Sequence, residues 1–531
     1  MKGVFAIVYK MLMIICVTGI VSVHTFAADN TVPQGQIVAT KQGLLRGTKE
    51  DSICVWRGIQ YAKQPVGELR FRAPQAPEAW SGVKDALVFG HVAPQTRRAT
   101  KEANKQGEDC LSLNVWSPAP DGKKRPVMFW IHGGGFLVGS GASPLYNGKN
   151  LSKNGDVVVV TINYRMGALG FLYFNDIKGS KTGFDNNLGI RDQVAALQWV
   201  KENIAAFGGD PEAVTIFGES AGAISVLTLM NMPSAKGLFK RAIVESAVPE
   251  SLMPPKVATE MTLRYLKMLN ISPDNLDQLR YVTTDTLVAV MDRLVFQLMY
   301  EPSTVKILSP TIDGEVIPSD LMSAIKAGKA TGVDLMIGTN KDEATLLALK
   351  RIGLAPRNAV QLAPYLANIE VGARKLLVAT YKRYPRKSGI LEMTTDGIFV
   401  MPSIRCTEMQ TSYASTYMYR FDWSSPLLRM VGLRSCHGLE LPFVFGTLDE
   451  GPGRFFTVGA SRKAVHRISQ QMQLSWVNFA RYGNPDPSGK NEWGKYTCAE
   501  RSTMIFDTKS HIAADPADMH RKAWTGLTIF K

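Results

Sequence analysis

The chain has 531 residues, of which 45% are hydrophobic, 20% charged and 9% aromatic. That balance is ordinary for a folded globular protein and excludes disordered, collagenous and coiled-coil classes. The formal net charge of +15 is basic, but Lys and Arg are spread along the chain and no recognition motif accompanies them, so nucleic acid is not expected as a partner.

Lys2 and Lys10 flank the start of an apolar run from Met11 to Val23, and Thr25-Phe26-Ala27 offers a small-x-small cleavage site before Ala28. Residues 1–27 therefore read as a secretory signal peptide. The run is shorter than the roughly 20 residues that cross a bilayer, and no later stretch is long and apolar enough, so no membrane span is expected. Removing residues 1–27 takes Lys2 and Lys10 and no acid, leaving +13. A secreted or periplasmic protein is expected. Cys54, Cys110, Cys406, Cys436 and Cys498 remain, too few and too scattered for a disulfide scaffold. No CxxC pair, HExxH helix or Cys/His cluster occurs, so neither a metal nor a cofactor is expected. The densest cationic group, Lys123-Lys124-Arg125 between Gly122 and Pro126, reads as a solvated turn.

Beyond it, Pro126–Ile131 and the four valines within Asp156–Asn163 read as strands buried on both faces, as in parallel sheets. Ile190, Val194, Leu197, Val200, Ile204 and Phe207 step by three or four, which predicts a helix with one buried face. Ala213–Phe217 is a further short strand, followed by Gly218 and a helical stretch from Ala221 to Met230. Arg241–Val244 and Val333–Ile337 are strand candidates, and Thr416–Trp423 alternates. The region from about 255 to 330 is richer in helix and reads as an insertion. No repeat, low-complexity linker or domain boundary is visible. Alternation of this kind predicts a doubly wound α/β sheet with helices on both faces.

Gly218-Glu219-Ser220-Ala221-Gly222 lies between the strand at 213–217 and the helix at 221–230. Glycines on either side allow a strand to reverse into a helix and present the Ser220 hydroxyl above the sheet edge as a nucleophile. Without that context the five residues would be a glycine-rich turn. His132-Gly133-Gly134-Gly135-Phe136 follows the strand at 126–131, where successive glycines let backbone N–H groups converge on an oxyanion. A phosphate-binding loop fails as an alternative, because no Gly-Lys-Ser/Thr ending follows.

A nucleophilic serine needs a base, and there are seven histidines. In hydrolases with this elbow the order is Ser, then Asp or Glu, then His. His24 lies in the leader, His91 and His132 precede Ser220, and His466, His511 and His520 lie in polar stretches expected to face solvent. His437, followed by Gly438, remains. The acid should follow a strand between Ser220 and His437. Thr339-Asn340-Lys341-Asp342-Glu343 is that loop, leaving Glu343 or Asp342 to orient the imidazole.

These motifs together resemble the type-B carboxylesterases, the family that includes cholinesterases, bile-salt-activated lipase and bacterial para-nitrobenzyl esterases. The resemblance runs from about residue 35 to 520. It also rests on Arg70-Phe71-Arg72-Ala73-Pro74, Glu108-Asp109-Cys110-Leu111, Asn163-Tyr164-Arg165, Phe207-Gly208-Gly209-Asp210-Pro211, Lys341-Asp342-Glu343 and His437-Gly438-Leu439-Glu440. It implies one α/β-hydrolase domain over 28–531, with a large, mostly parallel central sheet, helices on both faces and helical insertions. It implies Ser220 as nucleophile, Glu343 as acid and His437 as base, an oxyanion hole from the backbone of Gly134, Gly135 and Ala221, and a small-molecule ester as substrate. A catalytically inert adhesion protein on the same fold is the alternative; such members typically lack the serine or histidine that this chain retains. Two departures stand out. Ala93 occupies a position usually held by a cysteine paired with Cys110, so that loop disulfide is expected to be missing. No aromatic residue lies between Ala93 and Cys110, so a quaternary-ammonium ester is not an expected preferred substrate.

Overall fold

A computed structural model describes residues 36–96, 105–177, 183–298, 308–350 and 352–529; the leader assigned to residues 1–27 lies outside them. Among the described residues, eleven strands form one sheet: β1 (Thr48–Glu50), β2 (Ile53–Gln60), β3 (Ser112–Ser117), β4 (Arg125–Ile131), β5 (Val158–Ile162), β6 (Gly209–Glu219), β7 (Arg241–Glu245), β8 (Asp334–Asn340), β9 (Thr416–Phe421), β10 (Ser502–Phe506) and β11 (His511–Ala514). Their spatial order is β11-β10-β9-β8-β7-β6-β4-β5-β3-β2-β1. The pairings from β5 through β4 and β6 to β10 are parallel. Antiparallel strands finish both edges. This is the mostly parallel sheet of an α/β-hydrolase.

Because successive side chains of a strand point to opposite faces, the central strands feed two cores. Val127, Phe129 and Ile131 of β4 enter one, and Met128 and Trp130 enter the other. The first core is covered by helices α1 (Leu188–Asn203), α2 (Ala221–Met230), α3 (Pro255–Met268) and α4 (Thr284–Leu298). On the far side of the chain, α5 (Lys387–Thr395) runs through a π-turn at Asp396–Val400 into α6 (Met401–Gln410). The second core packs against α7 (Arg462–Tyr482), which contributes Val465, Ile468, Met472, Trp476 and Phe479. A short α8 (Asp518–Ala523) ends the described fold.

The differences from expectation have local causes. Strand β6 begins at Gly209 rather than 213, because Gly209 already pairs with Arg125. The apparent alternation in β9 does not mark a solvated face: five of its six residues are buried, Arg420 being the exception, since helices lie on both sides. Its polar-looking residues are tyrosines, whose rings fill core space. Arg125 is no part of a solvated turn. It opens β4, is buried, and bonds Asp121 through both Nη atoms and Asp156 through Nε at 2.6 Å. The β10–β11 hairpin carries no strong apolar run and was not anticipated. Neither were α5 and α6.

One buried ion pair joins the sheet to α1. Arg165, just past β5, bonds Asp192 through Nε at 2.8 Å and Nη2 at 2.6 Å, and its own N–H reaches Oδ2 at 3.0 Å. Both side chains are almost completely buried. Removing one member strands the other charge away from water, which typically costs about 3–5 kcal/mol. Asp192→Ala is therefore expected to lower the unfolding free energy by that amount in a denaturant titration; a loss under about 1 kcal/mol would contradict this account.

Candidate active site

At the carboxyl end of β6 the chain turns directly into α2, and the turn lies hard against the end of β4. A Cβ on Gly222 would fall 2.0 Å from the Ile131 carbonyl oxygen, and one on Gly218 would fall 2.7 Å from the same oxygen. Both positions therefore require glycine. Between them Ser220 has φ 57° and ψ −121°, a left-handed conformation that costs a non-glycine residue about 1–3 kcal/mol and persists only where surroundings enforce it. Its N–H donates to the Glu245 carbonyl of β7 at 2.9 Å, and its carbonyl accepts from Ile224 N–H at 3.0 Å.

The glycine loop after β4 leans on this elbow. A Cβ on Gly133 would stand 2.6 Å from the Glu219 carbonyl oxygen and 3.1 Å from Ser220 Cβ. Gly134 and Gly135 have φ of 110° and 63°. The N–H groups of Gly134, Gly135 and Ala221 donate to no acceptor among the described residues. His132 braces the loop: its ring stacks on Tyr164 at 4.5 Å, and Tyr164 Oη donates to the His132 carbonyl at 2.8 Å. Burial pulls its pKa down to about 4, so this imidazole is neutral and structural.

The two loop carboxylates part company. Glu343 is fully buried and accepts three hydrogen bonds, from Ser246 Oγ at 2.5 Å, Asn340 N–H at 2.7 Å and His437 Nδ1 at 2.6 Å. Asp342 turns the other way, toward Arg434 at 3.7 Å and the Ser435 N–H at 3.4 Å. His437 is thus brought to Glu343 and not to Asp342. Its other nitrogen, Nε2, lies 3.1 Å from Glu219 Oε1, and its ring packs on Phe399 with centroids 5.1 Å apart. Gly438 fits beside it with φ 72°, where a Cβ would approach Glu219 Oε1 at 3.5 Å.

Four buried carboxyls therefore gather around the elbow and the imidazole: Glu219, Glu245, Glu343 and Glu440. Burial pushes Glu219 up to about 7 against the pull of His437. It pushes Glu245 up to about 8 although Trp476 Nε1 donates to it at 2.7 Å. It also raises Glu440, which accepts from Asn340 Nδ2. Crowded acids in low dielectric hold protons rather than accumulate charge. Burial opposes a charge on His437, yet Glu219 and Glu343 together hold it up to about 10.

The remaining histidines lie apart. His466 faces Asp449 and His511 is exposed. His520 is not simply solvent-facing; its Nδ1 meets Asp396 at 2.7 Å. Residues that motif reading left without a role are Glu219, Ser246, Phe399 and Glu440. Glu219 and Glu440 stood inside the motifs around Ser220 and His437, one residue from Ser220 and three from His437, and that proximity was the available signal. Among the described residues, no group of His, Cys, Asp or Glu is arranged to hold a metal ion.

Comparison with known proteins matches this architecture. The sequence model of the carboxylesterase family covers residues 34–524. The chain is 38% identical over 500 residues to the para-nitrobenzyl esterase of Bacillus subtilis, spanning 92% of this chain and 98% of that protein. It is 31% identical to the phenmedipham hydrolase of Pseudarthrobacter oxydans over 91% of this chain and 97% of that one. Among solved structures, a thermophilic para-nitrobenzyl esterase superposes with a TM-score of 0.83 at 37% identity, and a Geobacillus stearothermophilus carboxylesterase with 0.81 at 41%. Each comparison covers 92% of this chain and 99% of the other.

The position of Glu219 makes a measurable difference. Replacing it by glutamine removes one of the carboxylates that stabilise the imidazolium, so the proton leaves His437 more readily. The His437 ring of Glu219→Gln, followed by NMR of 15N-histidine-labelled protein, is expected to titrate at lower pH than in wild type. An unchanged or higher midpoint would contradict the assigned electrostatics.

Proposed function

The chain belongs to the carboxylesterase family and is a carboxylic ester hydrolase, and we propose that Ser220, His437 and Glu343 carry its reaction through an acyl-enzyme. The observation that carries this reading is a strained serine elbow whose Glu219 lies 3.1 Å from Nε2 of a buried imidazole, the Nδ1 of that ring being fixed by a carboxylate at 2.6 Å. The neutral form of His437, with its one proton on Nδ1, has a lone pair on Nε2 to take the Ser220 hydroxyl proton as Oγ attacks the ester carbonyl, so the base acts from the fraction of the ring that has released the proton held there by Glu219 and Glu343. The resulting imidazolium sits between Glu343 and Glu219, both near enough to stabilise it. The alcohol leaves with the proton from Nε2, and water repeats the sequence to release the acid.

The oxyanion of each tetrahedral intermediate is assigned to the N–H groups of Gly134, Gly135 and Ala221. Two observations support that role: these groups lack acceptors among the described residues, and the glycine loop touches the elbow at Ser220 Cβ. Such preorganised donors are worth about 2.7–4 kcal/mol each in transition-state stabilisation. The substrates are small-molecule esters, and para-nitrobenzyl esters are the first to try given the relatives above. An inert adhesion protein is disfavoured because the serine and the carboxylate-anchored histidine are both retained.

We place the protein outside the cytoplasm, on the strength of the charged start, apolar run and small-x-small site of residues 1–27. Among the described residues no helix is long and apolar enough to cross a membrane.

Triad loss typically costs about 10⁴ to 10⁶ in turnover. Ser220→Ala is expected to abolish hydrolysis of para-nitrophenyl butyrate while circular dichroism stays unchanged, and Glu343→Gln to lower kcat by orders of magnitude. Asp342→Asn should change it little. Residual turnover in Ser220→Ala above a small fraction of wild type, or a larger loss at Asp342 than at Glu343, would overturn the assignment. Export has its own check: the intact mass of protein recovered from periplasm or medium should correspond to a chain beginning at Ala28, and a full-length cytoplasmic product would refute the leader.

A further inference from the structure

The π-turn between α5 and α6 packs on the base, the residue just before it bonds the backbone next to the acid, and the turn is held from behind by the C-terminal segment. A π-turn inserts one residue too many into a helix, so its position must be fixed by contacts outside the helix. On its inner side, Thr395 Oγ1 accepts from the N–H of Ala344, the residue after Glu343, at 3.1 Å. Phe399, four residues on and buried, lies against the His437 ring. On its outer side, Asp396 Oδ2 accepts from Tyr381 Oη at 2.6 Å and meets His520 Nδ1 of α8 at 2.7 Å. Trp524 Nε1 donates to the same Tyr381 oxygen at 2.6 Å, and the His520 and Tyr381 rings are 4.6 Å apart. A second attachment follows one turn into α6, where Arg405 Nη2 donates to the carbonyls of Trp524 and Leu527 at 3.0 and 2.5 Å.

We propose that His520 and Asp396 are positioning residues: their contact clasps the C-terminal helix to the π-turn and thereby holds Thr395 and Phe399 against Glu343 and His437. The proposal rests on the triad reading above. Neither residue touches the reacting atoms. Their effect runs through Phe399, which fixes the tilt of the imidazole, and through Thr395, which fixes the turn that aims Glu343. Asp396 has one oxygen shared by two donors, so losing the imidazole leaves it only Tyr381, and the start of the π-turn loses its link to α8. The Asp396 hydrogen bond holds the His520 pKa above its ordinary value, against burial, with Glu392 contributing.

A purely structural clasp would lower melting temperature and leave turnover by the folded protein alone, so kinetics decide. In para-nitrophenyl butyrate hydrolysis, well below the melting temperature of every variant, His520→Gln and Asp396→Asn are expected to lower kcat about 10-fold with KM changed less than about 2-fold, the size of effect that small misplacement of a catalytic group produces. Phe399→Leu should give a similar loss. Combining Phe399→Leu with His520→Gln should cost less than the product of the two separate losses, because the clasp acts in part through the Phe399 contact that the first change already removes. Lys522→Ala, which removes a surface pair with Asp518 on the same helix, should keep wild-type kcat. Should His520→Gln not fold, Tyr381→Phe removes the neighbouring donor with less disruption and should also lower kcat rather than raise KM. Wild-type kcat in the clasp variants, a loss in KM alone, additive losses in the double variant, or an equal loss in Lys522→Ala would overturn the proposal. Failure of the triad reading would look different: Ser220→Ala would then retain turnover whatever the clasp variants do.

Discussion

The geometry around the elbow hangs on one buried contact, the 2.6 Å hydrogen bond between His437 Nδ1 and a carboxylate with no solvent exposure. A buried carboxylate is tolerated only when its oxygens are satisfied. Glu343 meets that demand with the Ser246 hydroxyl, the Asn340 N–H and the imidazole. Each donor comes from a different place: the end of β7, the end of β8 and the loop carrying His437. Satisfying one carboxylate therefore brings three segments to the same edge of the sheet, beside the elbow that ends β6. Ser246 itself has φ 56°, so strain is stored at the donor as well as at Ser220.

That convergence requires a sheet that does not give way. Parallel pairing from β5 to β10 puts the carboxyl ends of these strands on one edge, and the two cores clamp the sheet from both faces. Trp130 shows how tightly, with the rings of Tyr146, Phe217 and Phe445 all centred within 5.0 Å of its own. Packed interiors of this kind deform little. The strain at Ser220 can be imposed because Gly218 and Gly222 press on a β4 end that cannot retreat.

How far the sequence revealed this depends on what kind of signal each part leaves. Buried parallel strands leave continuous apolar runs, so β4, β5, β7 and β8 could be read, and α1 could be read from its three-and-four spacing. The β10–β11 hairpin and the π-turn leave none: the first has too short an alternation, and a π-turn depends on which tertiary contacts hold it. The elbow and the glycine loop were visible as local patterns because backbone sterics demand glycine. The choice between Asp342 and Glu343 was invisible locally, since both follow the same strand and only the three-dimensional arrival of Ser246 and His437 separates them. His520 was misjudged for the same reason. Met519 and Lys522 beside it are exposed, but its own ring is turned inward to Asp396, and one turn of α8 suffices for the two environments.

The segment around Ala93 is held together without a disulfide. Ala93 and Cys110 are both buried, and Cys110 is in no disulfide. Burial drives its thiol pKa far above the ordinary value, so the thiolate needed for exchange or oxidation scarcely forms. Hydrogen bonds tie the described flanks instead. Gln95 donates to the Gly139 carbonyl at 2.8 Å and accepts the Gly139 N–H at 3.0 Å, and its own N–H reaches Gln106 at 3.0 Å. Glu108 pairs with Arg70, whose Nη1 also bonds the carbonyls of Arg280 and Val282 at 2.8 and 2.7 Å. A crosslink acts chiefly on the unfolded chain, whereas these bonds act on the folded one. They also place the segment where a disulfide alone would not: Gln95 grips the far end of the same glycine loop that leans on Ser220, so the loop's shape is set from both sides.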